Sequence, residues 1–426
     1  MKNTIKIDYL SRVEGESGII IEIKDGKITN LYLNVFEAPR FFESFLKGRP
    51  YYDVMDFTAR ICGICPVAYQ MSSVHAIERI FGIELDENIR QLRRLMYCGE
   101  WIESHALHIY LLNGPDFYGI ESAWASKEYL AVAKKGIMLK KLGNQIISII
   151  GGRSIHPVSV KVGGFYKIPN RKELHALLGE LEDAYEKALY GINWAAGLDF
   201  KDNSWDMHFI SMSHPDEYPM NDGFVVSNKG LNLSMDRFLE SIQEYQVEHS
   251  TSLYSGIKVN TSLSHYIVCP ISRLNLNYER LPEEIKDVVR KNGINLPITN
   301  TQMGIIARSV ELAYAFHEAI RIIKGYEETD NPYFSFEPRA GEAVWITEAP
   351  RGMLIHRYEI NEEGYVKNCT IIPPTSQNLR HIERDIYHFI ECNIDKPMEF
   401  LKREAEKIIR SYDPCISCSV HLVVIS

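Results

Sequence analysis

The sequence predicts an α+β protein: a mainly helical single large domain with a central long-helix bundle and a small N-terminal antiparallel β part. Three observations carry this. Apolar residues recur at helical spacing through most of 67–150 and again over 301–325 and 379–411. Strand-like alternation is concentrated in residues 4–35 and 333–373. No low-complexity linker and no internal repeat divides the 426 residues, a length that can bury one large core.

In order along the chain, Ile5, Ile7, Ile19, Ile21, Ile23, Ile28, Leu31 and Leu33 alternate with polar residues around Asp25-Gly26, the signature of antiparallel strands joined by a tight turn. Val74, Ile77, Ile80, Leu92, Leu95, Trp101, Leu107 and Leu111 then change the period to that of long helices. Gly151-Gly152 and Gly163-Gly164 bracket a loop holding His156-Pro157. Leu174, Leu177, Leu178, Leu181 and Tyr185 predict one amphipathic helix over 172–198. Residues 200–300 are mixed, with turns at Asn221-Asp222-Gly223 and Lys291-Asn292-Gly293. After the helix at 301–325, strands and loops surround Glu348-Ala349-Pro350-Arg351-Gly352, and helices close the chain.

The net charge of −9 argues against nucleic-acid binding, which calls for basic patches. Met1–Asp8 has no apolar core of signal length, and no run of about eighteen apolar residues appears, so neither export nor a membrane span is expected. Eight cysteines in that setting read as reduced thiols or metal ligands, and the expected location is cytoplasmic.

Four of the cysteines form two Cys-x-x-Cys pairs, Cys62/Cys65 and Cys415/Cys418, with 350 positions (415 minus 65) between them. Only the fold can bring them together. Paired thiols can hold a structural zinc, act as a redox dithiol, or bind a catalytic soft metal. Compact zinc sites place their pairs roughly 15–20 residues apart, and a chain of this size does not need a metal to fold. Cys98, Cys269, Cys369 and Cys392 are isolated and read as buried small apolar residues. His105 and His108, three apart on a helix, read as packing residues.

The segments around both pairs, Arg60-Ile61-Cys62-Gly63-Ile64-Cys65 and Asp413-Pro414-Cys415-Ile416-Ser417-Cys418-Ser419-Val420-His421, resemble the large (alpha) subunit of nickel–iron hydrogenases. Arg12-Val13-Glu14-Gly15, Gly151-Gly152-Arg153-Ser154-Ile155-His156-Pro157, Glu348-Ala349-Pro350-Arg351-Gly352 and Pro373-Pro374-Thr375-Ser376-Gln377-Asn378 follow the same family in the same order. The resemblance spans about residues 5–421, and Pro66-Val67-Ala68-Tyr69-Gln70 is closest to the soluble, NAD(P)-linked or sulfhydrogenase branch. Two positions depart from the wider family: Tyr69 stands where many members have histidine, and Ser104 where the membrane-bound branch has aspartate.

The resemblance implies a Ni–Fe centre whose iron carries CO and CN. Cys62 and Cys415 would be terminal nickel ligands, and Cys65 and Cys418 would bridge nickel and iron. Pro350 and Arg351 would face the diatomic ligands, and Thr375 would donate to a cyanide. Glu14 would relay protons. Glu43, 19 positions before Cys62, would bind Mg2+ with His421 and the main-chain carbonyl of Ile371.

The implied activity is reversible H2 oxidation and proton reduction, with catalysis centred on Glu14, Arg351 and Cys415; the main alternative is a hydrogen-sensing regulatory subunit. Too few cysteines remain for an iron–sulfur relay, and no dinucleotide fingerprint is present. The implied partners are therefore diaphorase-type subunits carrying flavin and NAD(P), together with an iron–sulfur small subunit. Sulfur reduction is a further possibility in this branch. The resemblance also implies a maturation chaperone and a C-terminal endopeptidase that removes residues 422–426, leaving a catalytic domain over 1–421.

Overall fold

The computed structural model of the chain describes residues 2–329 and 331–420. The expected site residue His421, the boundary after it and the 422–426 extension lie outside the described residues.

Strands Lys2–Ile7, Ser17–Lys24 and Lys27–Val35 pair antiparallel in chain order. Ile19, Ile21, Leu33 and Val35 turn inward and are buried. Asp25 and Gly26 take φ of 49° and 73°, the two left-handed residues that a primed hairpin turn requires.

The helical body is built from Pro66–Phe81, Glu87–Leu107, Leu130–Gly151, Leu178–Ala196 and Gly304–Gly325. Glu87–Leu107 packs against both Leu130–Gly151 and Gly304–Gly325, and the latter also packs on Leu178–Ala196. The first contact is close because both helices carry glycine at the crossing. A Cβ on Gly143 would stand 2.4 Å from the Gly99 carbonyl oxygen. The predicted helix over 172–198 is two helices, Arg171–His175 and Leu178–Ala196, with the break at Ala176-Leu177.

Residues 200–300 hold two small antiparallel sheets, Ile210–Ser213 with Phe224–Ser227 and Asn232–Leu233, and Tyr254–Val259 flanked by Ile242–Tyr245 and Ser262–Ser264. A third sheet, Gly341–Ala349, Gly352–Ile360 and Val366–Ile372, packs on Pro66–Phe81. In it Ala349 pairs with Gly352, so Pro350 and Arg351 form the tip of a two-residue hairpin. Gly352 has φ of 135°, and a side chain there would strike the Val268 carbonyl.

Helices Pro374–Cys392 and Met398–Tyr412 complete the body. The first begins earlier than the apolar period predicts because proline is well tolerated in a first helical turn. Asp413 ends the second in the left-handed region, φ 56°, and turns the chain toward Pro414-Cys415. Cys98, Cys269 and Cys369 are buried as expected, whereas Cys392 is exposed, on the solvent side of the last turn of its helix. Among the described residues, no helix is long and apolar enough to cross a membrane.

Candidate metal centre

The two Cys-x-x-Cys pairs meet at the seam between the N-terminal sheet, the Pro66–Phe81 helix and the C-terminal segment. Cys62 follows a short 3-10 turn, Ala59–Ile61, in extended conformation, and its Sγ accepts the N–H groups of Ile64 and Cys65 at 3.3 Å each. Cys65 then leads into Pro66, the first residue of its helix. On the other side the Cys415 amide donates to Thr375 Oγ1 (3.0 Å), and Cys418 rides on the single helical turn Ile416–Ser419.

The four Sγ atoms lie within 4.8 Å of one another and all four residues are buried. Cys62 and Cys415 are 3.7 Å apart, Cys65 and Cys418 4.0 Å, and Cys415 and Cys418 2.6 Å. Sulfurs about 2.3 Å from one tetrahedral ion stand about 3.8 Å apart, so the two cross-pairs have the spacing of ligands to a shared metal. Hydrogen bonds from the other sulfurs, Cys415 first, hold the Cys62 thiol well below its ordinary value, whereas burial pushes Cys415 well up. Four buried thiolates would repel one another strongly, and a soft cation is what allows all of them to ionise.

The hairpin tip places Arg351 over the sulfurs. Its Nε donates to the Asp413 carbonyl (2.7 Å) and pairs with Asp413 Oδ2 (3.0 Å), and Nη2 reaches Oδ1 (3.1 Å). Nη1 is buried and has no hydrogen-bond partner among the described residues. Arg351 borders a small cavity of about 10 Å3, lined also by Cys65, Tyr69, Pro350, Thr375, Cys415 and Cys418. The cavity has room for about one water-sized group. The Thr375 oxygen already accepts the Cys415 amide, which leaves its proton free to donate. A four-sulfur cradle, an unpartnered guanidinium N–H and a hydroxyl donor around so small a space fit a metal with small acceptor ligands.

Glu14 belongs to the same constellation. Its carbonyl accepts the Ile416 amide (2.9 Å), and its Oε2 accepts from Ser417 N (3.0 Å) and Cys415 Sγ (3.1 Å). Gly15 explains the rest of that motif: at φ 86°, a Cβ would collide with Ile416 and Ser417. Gly151-Gly152…His156-Pro157 buttresses the first cysteine pair from outside. His156 Nδ1 bonds the Ala59 carbonyl (2.7 Å), and Gln70 Nε2 donates to the Pro157 carbonyl (2.7 Å).

Glu43, expected at a second ion, is buried, and its Oε1 accepts the Ile371 amide (2.6 Å). A second cavity of about 10 Å3 lies between Glu43, Ile371, Cys418 and Val420.

The structure adds residues that no sequence motif singles out. Arg40 ties both cysteine segments together, donating from Nη1 to the carbonyls of Ile61 (2.7 Å) and Ser417 (3.2 Å). Arg273 uses all five of its N–H groups: on Glu311 Oε1 and Oε2 (2.8 and 2.7 Å), Glu348 Oε2 (2.9 Å), and the carbonyls of Ala349 (2.6 Å) and Pro350 (3.0 Å). It thereby fixes the base of the hairpin that carries Arg351. Its two carboxylates differ. Burial pushes Glu348 up to about 7 against the arginine, whereas for Glu311 the bidentate arginine outweighs burial and holds it at about 2. His105 Nε2 packs 3.0 Å from Glu311 Oε2 without hydrogen-bond geometry, and His108 Nε2 bonds the Arg410 carbonyl (2.7 Å), the packing roles expected of them.

The architecture and this centre define a large helical protein that presents four cysteine thiolates to a buried transition metal. A family model described as nickel-dependent hydrogenase matches residues 40–136 and 240–421. The alpha chain of sulfhydrogenase 1 from Pyrococcus furiosus is 33% identical over 99% of this chain and 100% of its own. The alpha chain of sulfhydrogenase 2 from the same organism is 32% identical over 98% of this chain and 99% of its own. The crystal structure of an NAD+-reducing [NiFe]-hydrogenase in the H2-reduced state superposes with a TM-score of 0.87 at 25% identity, covering 98% of this chain and 99% of that one. The chain belongs to the nickel-dependent hydrogenase family and is the catalytic large subunit of a nickel–iron hydrogenase.

Proposed function

We propose that this subunit oxidises H2 reversibly and passes the electrons through an iron–sulfur small subunit toward NAD(P), with sulfur reduction as a further activity. The observation that carries the reading is the convergence of Cys62, Cys65, Cys415 and Cys418 beneath an unpartnered Arg351 N–H. Support for the electron route comes from the similarity to the sulfhydrogenase alpha chains and to an NAD+-reducing enzyme. Diaphorase-type partners follow from the same similarity.

When bound, the nickel–iron centre supplies heterolytic cleavage of H2. Cys62, Cys65, Cys415 and Cys418 would hold it. Arg351 Nη1 and the Thr375 hydroxyl would offer donors to the small ligands on its iron, with Pro350 shaping the cavity wall. The sulfur of Cys415, 3.1 Å from Glu14 Oε2, would pass a proton to that carboxylate, and Glu14 would release it toward the surface. The small cavity and the buried hairpin exclude bulk water, which strengthens every donor aimed inward. Glu43, with the carbonyl of Ile371 and with His421, would hold Mg2+, and removal of 422–426 would leave His421 as the carboxy terminus.

The test is Cys415→Ser in the co-expressed complex. Loss of nickel and of dye-linked H2 turnover is expected. A nickel-loaded, active variant would overturn the ligand assignment, and a nickel-loaded wild type without turnover would favour a hydrogen sensor over an enzyme.

A further inference from the structure

Tyr69 lies in the first turn of the Pro66–Phe81 helix, four residues beyond Cys65, and is 1% exposed. Its ring packs at 5.6 Å from that of His356. Neighbouring hydroxyls are satisfied: Ser72 bonds Thr347 Oγ1 (2.7 Å), and Tyr97 donates to the same oxygen (2.5 Å). The Tyr69 hydroxyl is different. It is buried and makes no hydrogen bond of good geometry among the described residues. A buried donor left unsatisfied is costly, and this one borders the same cavity as Cys65, Cys418 and Arg351.

The four sulfurs are not equally supplied with donors. Cys62 accepts two backbone N–H groups, and Cys415 faces Glu14. For Cys65 and Cys418 the described side-chain hydrogen bonds are to other cysteine sulfurs alone; Cys65 directly precedes the helix that carries Tyr69, whereas Cys418 reaches the same cavity from the C-terminal segment.

We propose that Tyr69 is a positioning residue whose hydroxyl donates a hydrogen bond to the Cys418 thiolate of the loaded centre. This deepens the hydrogenase reading and rests on it, because it requires Cys418 to be a metal-bound thiolate. A charge-assisted bond of this kind draws electron density off the sulfur, and hydrogen bonds to metal-bound sulfurs are a principal control on the electronics of such centres. A thiolate shared with iron passes that change to the iron's diatomic ligands: with less back-donation, their stretching bands lie higher.

The test compares wild type, Tyr69→Phe and Tyr69→His, each purified with its partner subunits and read by nickel content and infrared spectrum. Phenylalanine keeps the ring packing and deletes one oxygen, so Tyr69→Phe should load nickel fully, with its carbon monoxide and cyanide bands moved to lower wavenumber. Tyr69→His restores an N–H donor and should move the bands back toward wild type. Unchanged bands in Tyr69→Phe would overturn the proposal, as would a Tyr69→Phe protein that loads no nickel, since the hydroxyl would then be needed for structure. A wild type with nickel but no such bands would instead refute the hydrogenase reading, and the proposal with it.

Discussion

Replacing Arg273 with methionine removes the guanidinium that holds Glu311, Glu348 and the carbonyls of Ala349 and Pro350 at once. Removing one partner of a buried ion pair costs about 3–5 kcal/mol. The lower end applies because neither carboxylate is left bare. Glu311 keeps the Tyr218 hydroxyl (2.9 Å), with the His105 ring 3.0 Å away, and Glu348 keeps the Met212 amide (2.7 Å). His105, which burial holds at about 4, also loses a competing positive charge and can take up a proton. At about 2.1 cal/mol/K of unfolding entropy per residue, 426 residues shift by only about 1 °C per kcal/mol, so a loss of about 3 kcal/mol lowers the thermal midpoint by roughly 3 °C.

The pH dependence gives a sharper check. Glu348 titrates at about 7 in the fold, above its ordinary 4.5, so it already opposes folding increasingly as pH rises between those values. Without Arg273 its pKa moves higher still, and that of Glu311 rises from about 2. The folded variant therefore binds more protons than the folded wild type, and its deficit grows with pH. Scanning calorimetry at one scan rate should find a larger midpoint difference at pH 8 than at pH 5.5. A difference under about 1 °C, or one no larger at pH 8, would refute the reasoning.

Glu14→Gln keeps an acceptor for the Ser417 amide but cannot carry a proton. Dye-linked turnover should fall about 10²–10⁴-fold with nickel content unchanged, and full turnover would remove Glu14 from the relay. Thr375→Val strips the Cys415 amide of its acceptor. It should lower stability by about 1–3 kcal/mol and shift one cyanide band, whereas a wild-type spectrum would free Thr375 from that role. Burial opposes ionisation of Glu78, Glu311 and Glu318, yet Arg93, Arg273, and Arg321 with Arg94 hold their pKa values at about 2. The stability they contribute is complete above about 4.5 and is lost as pH falls toward 2. The thermal midpoint should therefore drop steeply below about pH 4.5, and a midpoint flat to pH 3 would contradict these pairings.

The long helices and the Asp25-Gly26 turn are legible in the sequence because apolar period and turn chemistry are local signals. The four cysteines are legible because their flanking segments are so specific. What stays hidden depends on distance. Nothing near Arg273 in sequence points to Glu348 and Pro350, 75 and 77 positions away, and Arg40 reaches Ser417 across 377 positions. Asp413 stands inside a family motif, but its role as the partner of Arg351 emerges only when the hairpin tip folds over it. Cys392 departs from the buried position expected of it because a lone cysteine gives no sign of which helical face it occupies.

Metal content together with the infrared spectrum of the complex, purified anaerobically with its maturation proteins, tests the central claim most directly. The account predicts one nickel per large subunit, with carbon monoxide and cyanide bands that vanish together with nickel in Cys415→Ser. Zinc bound by the four cysteines in correctly processed protein, with no such bands, would contradict it.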